Sequence, residues 1–311
     1  MSGLLGTRYP IILGPMRMIT LGEMAGAVSA CGGFGQIAAS GLDDPADIRA
    51  EIEKARAITD RPVGVNIPVY RPNAHDALEA AIDMGVKAIT TSAGNPAKIM
   101  DRARQAGLTV IHKVSSLKLA KKAADAGVDA VIAMGYEAGG HVGRENITTM
   151  CLVPQLVDAL DIPVIAAGGI ADARGVAAAF ALGAEGVEMG TRFVATAECP
   201  VPGFFKEDLC SCGCDATLLL GKEAMPIRVL RNKVTMVVSG MAKDEADETI
   251  VQSGDAAYVM QGGTRDTAVM PCGQIAGLVC SEASIREVFD GIVREVPEVL
   301  ARMQGLFGAG R

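Results

Sequence analysis

Three glycine-rich runs carry the residues best suited to chemistry in this chain. The first, Gly135-Tyr136-Glu137-Ala138-Gly139-Gly140-His141-Val142-Gly143, sets a histidine in a loop whose backbone can approach a partner closely, because glycine has no Cβ. The second is Ala166-Ala167-Gly168-Gly169-Ile170-Ala171-Asp172, and the third is Glu188-Met189-Gly190-Thr191-Arg192. The last two each follow a short strand-like run, and paired glycine turns after successive strands suit a phosphate held by backbone N–H groups. His141 as a proton carrier, with Gly139 and Gly140 beside it, and Gly168, Gly169, Gly190 and Thr191 as a phosphate cradle point to a flavin-type enzyme rather than a binding module.

A second basic candidate is Lys113, which follows His112 at the end of a β-branched run. Side chains alternate along a strand, so one of the pair faces one way and its neighbour the other; which one reaches the functional face stays open. A lysine there would stabilise an anionic reduced cofactor or an anionic substrate. His75 opens a helix after Pro72 and reads as a surface or capping residue. Met16 and Met189 are candidate neighbours of a flavin ring. No metal site is expected: Cys210-Ser211-Cys212-Gly213-Cys214 lacks the two-residue spacing of a zinc clamp and has no matching second pair. Nor does a dinucleotide-type Gly-x-Gly-x-x-Gly stand out.

The elements that must position these residues alternate regularly. Strands are expected at Pro10–Leu13, Gly35–Ala38, Val63–Asn66, Ala88–Thr91, Thr109–His112, Ala130–Ala133, Val164–Ala166 and Gly186–Met189. Helices are expected at Leu21–Ala30, Pro45–Ile58, Ala74–Met84, Pro96–Ala106, Leu117–Ala126, Thr149–Leu160 and Ala173–Leu182, several closed by a glycine C-cap. This rhythm predicts an α/β fold, a (β/α)8 TIM barrel, with an open doubly wound sheet as the alternative. The glycine turns at 168–169 and 190–191 then follow the seventh and eighth strands, where barrel phosphate sites commonly form. After Arg192 the rhythm breaks, and Thr196–Lys222 and Val234–Pro271, with Gly262-Gly263, are expected to form a lid-like insertion, approximately 196–271, over the barrel mouth. A C-terminal helical pair, Gly273–Ser281 and Ser284–Met303, completes one domain spanning 1–311.

Composition narrows the function classes. The chain has 311 residues, half of them hydrophobic, so it can bury a barrel-sized core. The net charge of −7 and the lack of a Lys/Arg cluster argue against a nucleic-acid partner. No apolar stretch reaches spanning length, so no membrane partner is expected. The first ten residues lack a basic region followed by a long apolar run, and eight cysteines in a chain this long do not make a dense disulfide framework; both suggest a cytoplasmic protein.

Taken together, Glu137–His141, Ala166–Asp172 and Met189–Phe193 resemble the nitronate monooxygenase (2-nitropropane dioxygenase) family, which includes FMN-dependent enoyl-[acyl-carrier-protein] reductases. The likeness runs from Tyr9-Pro10-Ile11-Ile12 through Gly273-Gln274-Ile275-Ala276-Gly277-Leu278-Val279. It implies FMN as cofactor, with His141 as catalytic base or acid and Met16 and Asn66 along the ring and ribityl chain. The phosphate would lie at Gly168, Gly169, Gly190 and Thr191, and Gln274 would lie near the cofactor. Arg17 departs from the small or apolar residue expected there. The first expectation is oxidation of a small anionic nitronate with O2, favoured by Lys113 and the longer Gly143–Asn146 loop. The alternative is an NADH- or NADPH-dependent enoyl-thioester or quinone reductase. A phospho-metabolite barrel without flavin is a third possibility, and a small-molecule partner is expected in each. Whether the chain forms a homodimer stays open.

Overall fold

Short β-branched runs between alanine-rich helices form the strands of a ring, because each run buries one face against the helices and the other against the ring's interior. The computed structural model describes residues 1–221, 226–242, 244–246, 248–249 and 263–308. The strands are β1 (Ile11–Leu13), β2 (Gly35–Ala38), β3 (Val63–Pro68), β4 (Ala88–Ser92), β5 (Thr109–Val114), β6 (Ala130–Met134), a two-residue β7 (Gly140–His141), β8 (Val164–Ala167) and β9 (Gly186–Met189). All but β7 form one parallel sheet in the order β1-β9-β8-β6-β5-β4-β3-β2. A parallel bridge between Ile12 and Phe34 joins its two ends, so the sheet closes as a TIM barrel.

Seven helices alternate with these strands: Gly22–Ala30, Pro45–Ile58, Ala74–Asp83, Ala97–Gln105, Leu117–Asp125, Thr149–Val157 and Ala173–Ala181. Local chemistry sets their ends. Asp44 accepts from the Ala46 N–H ahead of Pro45, and Asp172 accepts from the N–H groups of Arg174 and Gly175. Gly127 (φ +86°) and Gly183 (φ +93°) turn the chain out of two helices toward the next strand.

The core is double. Between strands and helices lie Ile37, Val65, Ile89, Val110, Val131, Ala166 and Val187 with the apolar faces of the helices. Inside the ring, Ile12, Phe34, Ala88, Ile111, Ile132, Ile165 and Ala167 fill the lower lumen, and Leu5 of the N-terminal helix Ser2–Leu5 packs with them.

Beyond the barrel the chain forms further elements. It holds the helix Gly203–Ser211, strands β10 (Thr217–Leu220) and β11 (Ile227–Leu230), and the helix Lys233–Val238. Strands β10 and β11 pair antiparallel, and β11 pairs antiparallel with β7, matching Ile227 to His141 and Arg228 to Gly140. A small apolar cluster of Leu220, Val229, Val238 and Val269 holds this unit together. Of the expected cover at 196–271, positions 222–225, 243, 247 and 250–262, including Gly262, lie outside the described residues. The expected helix Gly273–Ser281 is instead a single 3₁₀ segment, Gln274–Leu278. Its backbone is committed elsewhere: the Gln274 N–H donates to the Glu137 carbonyl, and a Cβ on Gly277 would lie 2.8 Å from the Gly213 carbonyl oxygen. The final helix, Ile285–Gly308, packs on Ala173–Ala181 and Gly22–Ala30.

Candidate active site

The lumen changes character toward the C-terminal ends of the strands. Above the apolar layer lie Gln36, Asn66, Thr90 and Glu188, all buried, with Lys113 nearly so. The Asn66 amide donates to Thr90 Oγ1 at 2.8 Å, and Thr90 Oγ1 in turn donates to Gln36 Oε1. The Gln36 amide donates to the Leu13 carbonyl at 2.7 Å and reaches Glu188 Oε2 at 3.5 Å. Lys113 Nζ forms an ion pair with Glu188 Oε1. Strand parity thus resolves the His112–Lys113 question: Lys113 faces the lumen, and His112 faces the helices. There His112 Nδ1 shares a 2.7 Å hydrogen bond with Thr91 Oγ1, and burial pushes its pKa down to about 4. His112 is therefore a neutral core residue.

His141 sits on β7 with its side chain exposed, above this polar layer in the chain that leaves β6. Its loop is fixed from three sides. Glu137 turns away from the lumen: both oxygens of its carboxylate accept from the Thr149 N–H, at 2.9 and 3.1 Å, and one also accepts from the Thr149 hydroxyl, at 3.0 Å. It thereby caps the helix Thr149–Val157. Gly139 lies backbone-to-backbone on the tail, so close that a Cβ there would stand 2.5 Å from both the Cys272 carbonyl carbon and the Gly273 nitrogen. On the opposite strand, buried Arg228 donates twice to the Tyr136 carbonyl, at 2.9 and 3.3 Å. Its guanidinium stacks 4.7 Å from the Tyr136 ring centroid.

The two glycine turns lie at the same end of the barrel. Gly168 (φ +92°) and Gly169 (φ +77°) both occupy backbone regions that a side chain disfavours. Gly190 precedes the one-turn helix Thr191–Val194. The N–H groups of Gly169 and Gly190 enter no turn or loop hydrogen bond among the described residues, which leaves donors for an anion. The Thr191 hydroxyl accepts from the Gly273 N–H at 2.8 Å and so ties the tail to this turn. These donors, with amide and charged groups in the adjoining lumen, match what FMN requires: an anionic phosphate and a flat heterocycle with polar edges.

The remaining candidates divide. Met16, half-buried in the turn after β1, packs within 3.6 Å of where a Gly190 Cβ would lie. The Met189 side chain points into the strand–helix core at 1% exposure, so only its backbone meets the mouth, its carbonyl accepting from the Gly14 N–H at 2.7 Å. Gln274 is exposed beside Glu137. His75 is exposed on its helix. Cys210 and Cys212 are half-buried and Cys214 exposed, and no group of three His, Cys, Asp or Glu among the described residues is placed to hold a metal ion. Sequence reasoning missed three residues. Glu188 stood inside a quoted motif, and its alternation with Gly186 and Gly190 could have marked it as lumen-facing. Arg228 interrupts the apolar run Ile227–Leu230. Glu137 as a helix cap had no local signal, because its helix begins twelve residues later.

Comparison with known proteins fits this arrangement. The nitronate monooxygenase family model matches residues 1–295. The chain belongs to that family. Its fold is similar to that of FabK from Thermotoga maritima, with a TM-score of 0.92 and 39% identity over 98% of each chain. It is also similar to a nitroalkane oxidase from Streptomyces ansochromogenes, with a TM-score of 0.84 and 27% identity over 97% of this chain and 99% of that one. A relative from Rhodococcus jostii (strain RHA1), (3aS,4S,5R,7aS)-5-hydroxy-7a-methyl-1-oxo-octahydro-1H-indene-4-carboxyl-CoA dehydrogenase, is 30% identical and aligns over 95% of this chain and 94% of its own. As a member of this family the chain is an FMN-type oxidoreductase. No described helix is long and apolar enough to cross a membrane.

Proposed function

We propose that this family member reduces the carbon–carbon double bond of an α,β-unsaturated acyl thioester, with FMN as cofactor and NADH or NADPH as electron source. The observation that carries this reading is the Lys113–Glu188 ion pair. The nitronate expectation leaned on Lys113 as a cation available to an anionic substrate. With Glu188 against it, the lumen wall below the mouth presents a polar but charge-balanced surface, which suits a neutral enoyl group better than a nitronate anion. The likeness to FabK supports the enoyl-reductase side of the family, and the coenzyme A thioester in the Rhodococcus relative's name supports a thioester substrate.

In this reading FMN supplies two-electron transfer. Gly168, Gly169, Gly190 and Thr191 hold its phosphate through backbone N–H groups, and Asn66 and Lys113 meet its polar edge from the lumen. Met16 packs against its ring, with Gln274 near it from the tail. Gly139 and Gly140 let the backbone come close, and His141 delivers the proton to the substrate α-carbon. Strands β10 and β11, paired with β7 beside His141, help exclude water from the mouth.

Nitronate oxidation with O2 remains the second reading. It is favoured by Arg228, a buried cation beside the His141 loop with no carboxylate partner among the described residues. Steady-state assays separate the two. The first reading expects NADH or NADPH oxidation that depends on a trans-2-enoyl-CoA and falls about 100-fold or more in His141→Ala, within the range of general acid–base contributions. Oxygen uptake driven by an alkyl nitronate without nicotinamide, and no enoyl-dependent turnover, would replace it with the second.

A further inference from the structure

The Lys113–Glu188 pair spans the ring. Lys113 comes from β5 and Glu188 from β9, with β6 and β8 between them in the sheet order. Both side chains are withdrawn from solvent, at 14% and 5% exposure. Glu188 is further fixed by the Gln36 amide, which is itself anchored on the Leu13 carbonyl. Gln36 also accepts from Thr90, which accepts from Asn66, so the carboxylate is the end of a polar chain drawn from β2, β3 and β4. A buried ion pair of this kind is a weak source of net stability, since two charges must be stripped of water to form it. What it does fix is the position of the ammonium and the net charge of the lumen.

We propose that Glu188 is a positioning residue that sets the charge Lys113 presents to the bound cofactor. It draws Nζ toward the β9 wall and cancels its charge, so the cofactor meets a neutral lumen rather than a bare cation. The inference rests on the FMN reading above. At neutral pH reduced FMN carries one more negative charge than oxidised FMN. An uncompensated ammonium in a space this poor in water would therefore bind the reduced form preferentially and raise its reduction potential. With Glu188 in place the reduced flavin stays the stronger donor.

The test is the midpoint potential of FMN-reconstituted protein, measured by dye equilibration, together with the dissociation constant for oxidised FMN. Glu188→Gln keeps the shape and the hydrogen bond to Gln36 while removing the countercharge. It is expected to raise the ratio of oxidised to reduced FMN dissociation constants at least tenfold, a shift of about +30 mV for a two-electron couple. Lys113→Met is expected to give no rise, because it removes the cation that would favour the reduced form. The double variant Lys113→Met/Glu188→Gln, which is again neutral, should return the potential to within a few millivolts of the parent. A purely structural role for the pair would lower thermal stability in all three variants without this pattern of signs. A Glu188→Gln potential equal to the parent's, or a rise that persists in the double variant, would overturn the proposal. Should Glu188→Gln fail to fold, Glu188→Ala, which also removes the countercharge, carries the same expected rise, and a potential equal to the parent's in that variant overturns the proposal. Parent protein that binds no FMN overturns the cofactor reading itself, a result distinct from bound FMN with unmoved potentials.

Discussion

Replacing Gly139 by alanine puts the support of the His141 loop under direct stress. The new Cβ would stand 2.5 Å from the Cys272 carbonyl carbon, 2.5 Å from the Gly273 nitrogen and 2.8 Å from the Cys272 Cα. Ordinary carbon contacts begin near 3.5 Å, so the two backbones must separate by about 1 Å. The atoms in the way are main chain on both sides, and no flexible side chain can yield. Overpacking of this kind costs about 1–3 kcal/mol. With an unfolding entropy near 2.1 cal/mol/K per residue, 1 kcal/mol corresponds to about 1.5 °C in a chain of 311 residues, so Tm should fall by about 2–5 °C. Function should suffer more than stability, because the displaced segment carries His141 two residues on, and a 1 Å misplacement of a reacting group costs about 100-fold. Gly140→Ala is the control. That position has φ +66° but only Pro271 Cβ at 3.9 Å, so it pays about 1–2 kcal/mol of backbone strain without pushing the tail away. Differential scanning fluorimetry and enoyl-thioester turnover on both variants test the argument. Gly139→Ala with parental Tm and parental turnover would refute the claim that this contact holds the loop in place.

Two further perturbations follow from the geometry. His112 has a folded-state pKa near 4 against 6.5 in the unfolded chain, so the unfolded state binds the extra proton between those values and stability is lost as pH falls from about 6.5 toward 4. The full loss attributable to this group is about 3 kcal/mol, and urea unfolding at pH 7 and pH 5 should show a drop that His112→Gln largely removes; an equal drop in that variant would assign it elsewhere. Arg228→Lys keeps the charge but loses the paired bonds to the Tyr136 carbonyl and the stacking on its ring. A loss of about 1–3 kcal/mol in urea unfolding is expected, with a fall in kcat larger than any rise in KM, and wild-type values on both counts would show that Arg228 does not brace the loop.

The barrel was legible because its signals are local. Gly35–Ala38, Pro45–Ile58 and Gly186–Met189 form with the expected bounds, since β-branched runs and capped alanine-rich segments commit a few residues at a time. What sequence left open depends on contacts between distant segments. Whether His112 or Lys113 faces inward is a matter of strand parity, fixed only when the ring closes. The same parity turns the Met189 side chain away from the mouth although it sits inside a site motif. The antiparallel sheet that carries His141 joins Gly140–His141 to Ile227–Arg228, a pairing no local window contains. Gly273–Ser281 reads as helical by composition, but its Gln274 N–H is committed to the Glu137 carbonyl, its Gly273 N–H to the Thr191 hydroxyl, and Gly277 lies against the Gly213 backbone. The Lys113–Glu188 pair likewise joins positions far apart in the chain, so neither residue announced the other.

An anaerobic absorbance titration of the FMN-loaded protein tests the central claim most directly. The account predicts that NADH or NADPH bleaches the flavin spectrum and that a trans-2-enoyl-CoA then restores it with no oxygen present. A flavin that neither nicotinamide reduces, but that an alkyl nitronate bleaches under the same conditions, would contradict it.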